Sequence, residues 1–102
     1  MPAFNYRNGF YHVEDLDLRD LAEQFGTPAF IYSEAFIRAA YQRYQNAFTG
    51  LSHAICYAVK ANSNLTILNL LASMGAGFDI VSVNLIVIFL WLNFHENGAF
   101  VV

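Results

Sequence analysis

The stretch that decides the fold is AICYAVKANSNLTILNLLASMGAGFDIV, residues 54–81. Residues 54–59 are unbroken apolar, as expected of a strand that is covered on both faces of a parallel sheet. Residues 65–74 carry leucines at helical spacing and are followed by two glycines that predict the end of a helix. Residues 78–81 predict a second apolar strand. A strand, a helix and a strand in this order predict a βαβ unit with parallel pairing and a right-handed crossover.

The residues before this unit predict a hairpin and two helices. Residues 4–13 alternate aromatic and polar side chains around an Asn-Gly pair, which predicts a tight β-hairpin. Apolar spacing predicts a helix over residues 15–25, a short strand over 29–32, and a second helix that begins after Ser33 as its N-cap and runs to about residue 48. The face of that second helix expected to be buried carries Phe36, Ala40, Tyr44 and Ala47.

The composition limits the classes of function that fit this chain of 102 residues. Hydrophobic residues make up 57% and charged residues 13%, an apolar excess that favours a membrane protein or part of a larger structure. The net charge is −3 and no basic run is present, which argues against nucleic-acid binding. A single cysteine excludes a disulfide within the chain and predicts a cytoplasmic setting. Residues 1–30 lack the apolar segment of a signal peptide.

Lys60 is the only lysine of the chain and is predicted to be the last residue of the first apolar strand. Burying an ammonium group costs free energy, yet the carboxyl ends of parallel strands are where α/β folds bind ligands. A desolvated lysine at that edge is an amine nucleophile suited to an aldehyde such as pyridoxal phosphate. The alternative is a lysine whose head group reaches past the strand end into solvent.

The neighbours of Lys60 are expected to serve the structure. Tyr57 is predicted to lie in the core with its hydroxyl satisfied at the strand end. The polar loop of Asn62, Ser63 and Asn64 offers N-caps for the following helix, with contact of Asn62 and Ser63 to a ligand as the alternative. Cys56 is predicted to be an inert small hydrophobic residue inside the strand.

Three short motifs carry a resemblance to a known family. YAVKANSN (57–64), GAGFDIVS (75–82) and TPAFIYS (27–33) together resemble the diaminopimelate decarboxylases, which are pyridoxal-phosphate enzymes built on an alanine-racemase-like barrel. The opening FNYRNG and the later LAEQFGTP are similar to that family's amino terminus, so the resemblance covers residues 4–82. It implies an α/β chain that forms the start of a pyridoxal-phosphate-binding (β/α)8 TIM-type barrel, truncated after about two barrel strands.

The resemblance also implies roles for three residues. Lys60 would be the catalytic residue that links covalently to pyridoxal 5'-phosphate. Asp79 would lie near the cofactor and favour a cationic amine, although accepting hydrogen bonds from backbone amides is the alternative. Ala58 would pack beside the cofactor ring, although a small residue in a strand is also ordinary core. No metal site is expected, because the three histidines lack the spacing of metal ligands.

The implied reaction is the decarboxylation of meso-2,6-diaminopimelate to L-lysine and carbon dioxide. The implied partner is a small amino-acid substrate, without nucleic acid or membrane, and intact members of the family would be cytoplasmic homodimers. Residues 1–32 would pack with a carboxy-terminal β domain, and residues 33–82 would begin the barrel. Because most of the active site would come from later strands, the chain is expected to be inactive alone.

Residues 83–102 depart from the family pattern. GFDIVS is followed in the family by two glycines and a glutamate, whereas Val83, Asn84 and Leu85 follow it here. Codons for Gly-Glu-Phe read one base out of frame give Val-Asn and then Leu or Phe, so a shifted reading frame is our hypothesis for this tail. Two alternatives for the whole chain stay open: a small membrane-associated protein that inserts residues 80–94, and a pyridoxal-phosphate-binding module without catalysis.

Overall fold

The computed structural model describes residues 2–80 of the chain. Their contacts divide into two compact units, one up to Ala40 and the other from Tyr41 onward. The elements in chain order are β1 (Phe4–Arg7), β2 (Phe10–Val13), β3 (Leu16–Asp17), α1 (Leu18–Phe25), α2 (Glu34–Ala47), β4 (Cys56–Ala58), a 3-10 turn (Val59–Ala61), α3 (Leu65–Ser73) and β5 (Gly77–Asp79).

The predicted hairpin is confirmed in the first unit. β1 and β2 pair antiparallel, and the register places Arg7 opposite Phe10 across the turn. Asn8 and Gly9 have φ values of 51° and 82°, the left-handed pair that a tight hairpin turn requires. Val13, at the end of β2, is completely buried. The hairpin therefore forms from local turn chemistry and is held by one buried strand residue.

The first helix begins later than the sequence predicts. Residues 15–17 were expected to be helical, but Leu16 and Asp17 form β3 and pair with β2. α1 then begins at Leu18, and the Asp17 carboxylate caps it by accepting a hydrogen bond from the Arg19 amide at 2.8 Å. Pairing with β2 provides hydrogen-bond partners for the backbone N–H and C=O groups of these two residues, so they do not need helical hydrogen bonds.

An ion pair and an aromatic ring lie beside the start of α1. The Arg19 side chain donates hydrogen bonds to Asp17 and stacks over the Phe10 ring, with its guanidinium carbon 3.3 Å from the ring centroid. The hydrogen bond from the Arg19 side chain is the main reason that the pKa of Asp17 falls from 3.8 to about 2. The Asp17 carboxylate therefore stays ionised in acid that would protonate an ordinary aspartate.

The second helix has two caps, of which the sequence predicts one. Ser33 is buried, and its hydroxyl oxygen accepts a hydrogen bond from the Phe36 amide at 3.1 Å, as an N-cap does. The Glu14 carboxylate accepts hydrogen bonds from the Ser33 hydroxyl at 2.7 Å and from the Ala35 amide at 3.1 Å. Glu14 stands 19 residues before Ser33, so this second cap is a tertiary contact.

Two expectations around the second helix are wrong. Residues 29–32 form no strand, because none of the strands within residues 2–80 pairs with them, and Phe30 is 90% exposed. The predicted buried face of α2 is also wrong, since Phe36 and Tyr44 are more than half exposed. The buried residue of the helix is Tyr41, whose hydroxyl accepts a hydrogen bond from Gln45 at 2.8 Å.

The predicted βαβ unit is confirmed in the second unit. β4 and β5 pair in parallel with Cys56 opposite Gly77, and α3 connects them. Half of the buried hydrophobic side chains within residues 2–80 come from this helix: Ile67, Leu68, Leu70 and Leu71. Both strands are shorter than predicted, ending at Ala58 and Asp79. Cys56 is exposed, so the expected strand with two covered faces is wrong in this part of the chain.

Capping residues stand at both ends of α3. The Asn64 side chain accepts hydrogen bonds from the Thr66 and Ile67 amides at 3.0 and 3.3 Å. Gly75 has a φ of 92° at the carboxyl end, where its amide donates to the Ala72 carbonyl at 3.0 Å. A residue with a side chain is disfavoured at this φ, so glycine lets the chain leave the helix and enter β5.

Residues 81–102 lie outside the described part of the chain. The shifted reading frame and most of the segment proposed for membrane insertion fall there. Within residues 2–80, no helix combines the length and the apolar character that crossing a bilayer requires.

Candidate functional site

Lys60 lies in the turn that follows β4. The sequence predicts it as the last residue of the strand, either desolvated there or with its head group in solvent. It lies instead in the middle of the 3-10 turn Val59–Ala61, and it is exposed, as in the second of these alternatives. The strand pairing stops at Ala58, and Val59 turns inward, with only 3% of its surface exposed. The buried Val59 anchors the turn, and the next residue, Lys60, is therefore presented to solvent.

The other two predicted site residues lie at the same edge of the sheet. Ala58 and Asp79 are register partners, and each is the last residue of its strand. Ala58 is half-buried and Asp79 is exposed. Lys60 follows Ala58 by two residues, so the fold brings all three to the carboxyl ends of two neighbouring parallel strands. Within residues 2–80, Lys60 and Asp79 form no ion pair with each other.

The loop between β4 and α3 is held by side-chain hydrogen bonds. The Tyr57 hydroxyl donates to the Asn62 carbonyl at 2.9 Å, which confirms that this hydroxyl is satisfied at the strand end. Tyr57 is half-buried, and its ring meets the Phe78 ring edge-on at 6.5 Å between centroids. The Asn62 side chain accepts a hydrogen bond from the Asn64 amide at 3.0 Å.

The structure selects the cap of α3 among three candidates. The sequence offers Asn62, Ser63 and Asn64 as N-caps, of which Asn64 performs this task and Asn62 supports it. All three are polar residues that favour caps, and their position relative to the helix depends on where the 3-10 turn ends. Sequence reasoning also missed Asn62 as the acceptor for Tyr57, because a backbone carbonyl carries no signal in the sequence.

The chemistry of this edge suits an aldehyde ligand. An exposed primary amine is accessible to an aldehyde from solvent and can condense with it. A carboxylate at the end of the neighbouring strand favours cationic groups near it, and Ala58 contributes only a methyl group to its strand end. In the part of the chain that the structure describes, no three His, Cys, Asp or Glu residues are grouped as a metal site would need.

Comparison with known proteins identifies the family that this chain resembles. The pyridoxal-binding domain of the pyridoxal-dependent decarboxylases matches residues 34–97, which extends past residue 82. The diaminopimelate decarboxylase of Pseudomonas fluorescens is 55% identical over 82 residues, which are 80% of this chain and 20% of that protein. The diaminopimelate decarboxylase of Pseudomonas aeruginosa is 52% identical over the same length and coverage. The chain thus spans about a fifth of the length of these curated relatives.

Solved structures show the same likeness. The crystal structure of the diaminopimelate decarboxylase of Methanocaldococcus jannaschii matches with a TM-score of 0.83 and 38% identity, covering 89% of this chain and 22% of that one. The structure of AQ1208 from Aquifex aeolicus matches with a TM-score of 0.84 and 40% identity, covering 90% of this chain and 23% of that one. These matches favour neither the membrane-associated protein nor the binding module without catalysis.

The fold class and the resemblance predicted from the sequence are therefore confirmed. The chain is α/β and corresponds to the amino-terminal part of enzymes whose cofactor domain is a TIM-type barrel. The family match covers more than half of the chain, including β4, the turn with Lys60 and β5. On these grounds, the chain belongs to the pyridoxal-dependent decarboxylases and carries part of their pyridoxal-binding domain.

Proposed function

We propose that this chain supplies the lysine-bearing edge of a decarboxylase that converts meso-2,6-diaminopimelate to L-lysine and carbon dioxide. The observation that carries the proposal is the place of Lys60, the only lysine, in an exposed turn at the carboxyl end of a parallel strand. The relatives named above are diaminopimelate decarboxylases, and the M. jannaschii enzyme has been crystallised in complex with L-lysine. The proposed cofactor is pyridoxal 5'-phosphate.

The residues at this edge fit the aldehyde end of that cofactor. Lys60 offers a primary amine that reaches solvent, and the half-buried Ala58 brings little bulk to the strand end. Asp79, at the end of the neighbouring strand, offers a carboxylate that can stabilise a positive charge nearby. By resemblance, the groups that hold the phosphate and the ring nitrogen belong to later strands of the barrel.

Each residue then has a separate task. Lys60 would hold the cofactor through its ε-amino group. Asp79 would stabilise a positive charge that develops nearby, and Ala58 would leave space for a planar ring. When bound, pyridoxal phosphate supplies the electron sink that accepts the electron pair left behind as carbon dioxide departs. We also propose, from the resemblance, that the full-length protein is a cytoplasmic homodimer in which residues 1–32 pack with a carboxy-terminal β domain.

A chimera tests this function directly. Residues 2–80 of this chain replace the matching segment of the P. fluorescens enzyme, and release of L-lysine from meso-2,6-diaminopimelate is measured. We expect a folded, active chimera, and we expect Lys60→Arg to reduce its turnover by more than about 1,000-fold, because arginine keeps the charge but cannot condense with the aldehyde. The 102-residue chain alone should release no lysine.

Two results would count against the proposal. A folded chimera without activity would show that these residues do not form the lysine-bearing edge of a working decarboxylase. Normal turnover by the Lys60→Arg chimera would remove Lys60 from catalysis. Reduction with borohydride in the presence of pyridoxal phosphate, followed by mass spectrometry, identifies the linked residue independently of turnover, and we expect it to be Lys60.

A further inference from the structure

A hydrogen bond from the Tyr57 hydroxyl links the two sides of the turn that carries Lys60. The hydroxyl donates to the Asn62 carbonyl at 2.9 Å, so the bond spans the whole 3-10 turn Val59–Ala61. The two bonded residues are five positions apart, and Lys60 lies between them. A single hydrogen bond therefore fixes the distance between the two ends of the turn that presents the amine.

The strand side of this bond is well anchored. Tyr57 is the middle residue of β4 and pairs in register with Phe78 of β5. The two rings also meet edge-on, with an angle of 86° between their planes. Edge-to-face aromatic pairs contribute beyond the area they bury, so the ring has a defined place on the sheet.

The loop side of the bond is anchored as well. The side chain of Asn62 accepts a hydrogen bond from the amide of Asn64 at 3.0 Å. Asn64 in turn caps α3 through the Thr66 and Ile67 amides. The carbonyl that Tyr57 holds therefore belongs to a residue that is already tied to the first turn of a helix, and the loop has a support at each end.

We propose that Tyr57 is a positioning residue for Lys60: through its hydrogen bond to the Asn62 carbonyl, it orders the turn so that the amine stays at the end of β4. This inference rests on the proposed function for its catalytic meaning. A lysine side chain is long and flexible, and any disorder of its backbone adds to the uncertainty in the position of its amine. A residue that orders this backbone reduces the number of arrangements in which the amine is misplaced.

Backbone order in the 102-residue chain tests the inference without any cofactor. Nitrogen-15 relaxation gives an order parameter for each amide, about 0.85 for rigid and below about 0.6 for flexible backbone. We expect rigid values for Lys60 and Ala61 in the wild type and flexible values after Tyr57→Phe, with α3 unchanged. Tyr44→Phe, which removes an exposed hydroxyl from α2, is the matched control and should change neither.

Three outcomes of this measurement overturn the proposal. The first is a wild-type turn that is already flexible, a result that needs no variant and so stands even if Tyr57→Phe does not fold. The second is a Tyr57→Phe chain whose turn remains as rigid as in the wild type. Loss of order throughout α3 as well would make Tyr57 a general structural residue, which also contradicts a positioning role.

The active chimera tests the catalytic meaning of the same residue. Tyr57→Phe should lower kcat about fivefold and leave KM unchanged, since one net hydrogen bond amounts to about 1 kcal/mol and acts on the reacting amine. Unchanged kcat with a flexible turn would overturn the link to catalysis. An inactive parent chimera would count against the proposed function instead, whereas the order parameters would still decide whether Tyr57 orders the turn.

Discussion

The substitution Ser33→Ala tests whether the tertiary cap on α2 stabilises the first unit. Ser33 is 4% exposed, and its hydroxyl makes two hydrogen bonds, one from the Phe36 amide and one to the Glu14 carboxylate. Alanine removes both and leaves a buried methyl group where a polar group was satisfied. The amide of Ala35 keeps its hydrogen bond to Glu14, so the helix end does not lose every cap.

The expected loss follows from these contacts. Removing a serine N-cap costs about 1 kcal/mol. Removing a hydrogen bond to a carboxylate costs roughly 1.5 kcal/mol at the lower end of the usual range, which suits the half-buried Glu14. Because Ala35 still bonds the same oxygen of Glu14, we expect a net loss of about 2 kcal/mol, or roughly 10 °C in the melting temperature of a chain this small.

Urea unfolding followed by circular dichroism measures this loss at neutral pH. Ser52→Ala is the matched control, because Ser52 is exposed, and it should unfold like the wild type. Glu14→Gln keeps the acceptor oxygen but removes its charge, so its loss should fall between the two. Equal urea midpoints for Ser33→Ala and Ser52→Ala would refute the claim that this buried cap stabilises the fold.

Three further predictions concern other parts of the chain. The folded-state pKa of Asp17 is about 2, below its usual 3.8, so its stabilising contribution is complete above about pH 4 and disappears as the pH falls towards 2. Asp17→Asn, which can still cap the helix, should flatten the dependence of the urea midpoint on pH over this window. A β-carbon added to Gly77 would lie 2.9 Å from the Cys56 sulfur, so Gly77→Ala should be destabilising and Cys56→Ala should restore roughly 1 kcal/mol in a double-mutant cycle. The reading-frame hypothesis predicts that the gene sequence after the Ser82 codon encodes further barrel motifs in another frame, and their absence there would exclude it.

Local sequence was sufficient to predict an element where its conformation depends on residues that are neighbours in the chain. The hairpin follows from an Asn-Gly pair whose backbone angles few other residues adopt, and Asn8 and Gly9 have those angles in the structure. The βαβ unit follows from apolar periods that change from strand to helix and back, with Gly75 ending the helix. The resemblance implies that Lys60, Ala58 and Asp79 lie near one cofactor, and the parallel pairing of β4 and β5 brings the ends of their strands to the same edge of the sheet.

Burial could not be predicted in the same way. Phe36 and Tyr44 were expected to be buried and are exposed, because the apolar spacing of α2 identifies a stripe but not the surface that covers it. The sequence left open whether Lys60 is desolvated at the strand end or reaches solvent, and the structure shows it exposed. The apolar run does not stay a strand to its end, because pairing with β5 stops after Ala58 and Val59 turns inward.

The sequence by itself determined the hairpin, the three helices and the βαβ unit, because turn preferences and apolar periods act over a few neighbouring residues. Only the tertiary structure decided which contacts support them. Glu14 reaches Ser33 across 19 positions, and Tyr57 finds a backbone carbonyl beyond a turn. Such contacts depend on where the chain folds back in space, and a partner that is distant in sequence, or is a backbone atom common to every residue, leaves no pattern along the chain.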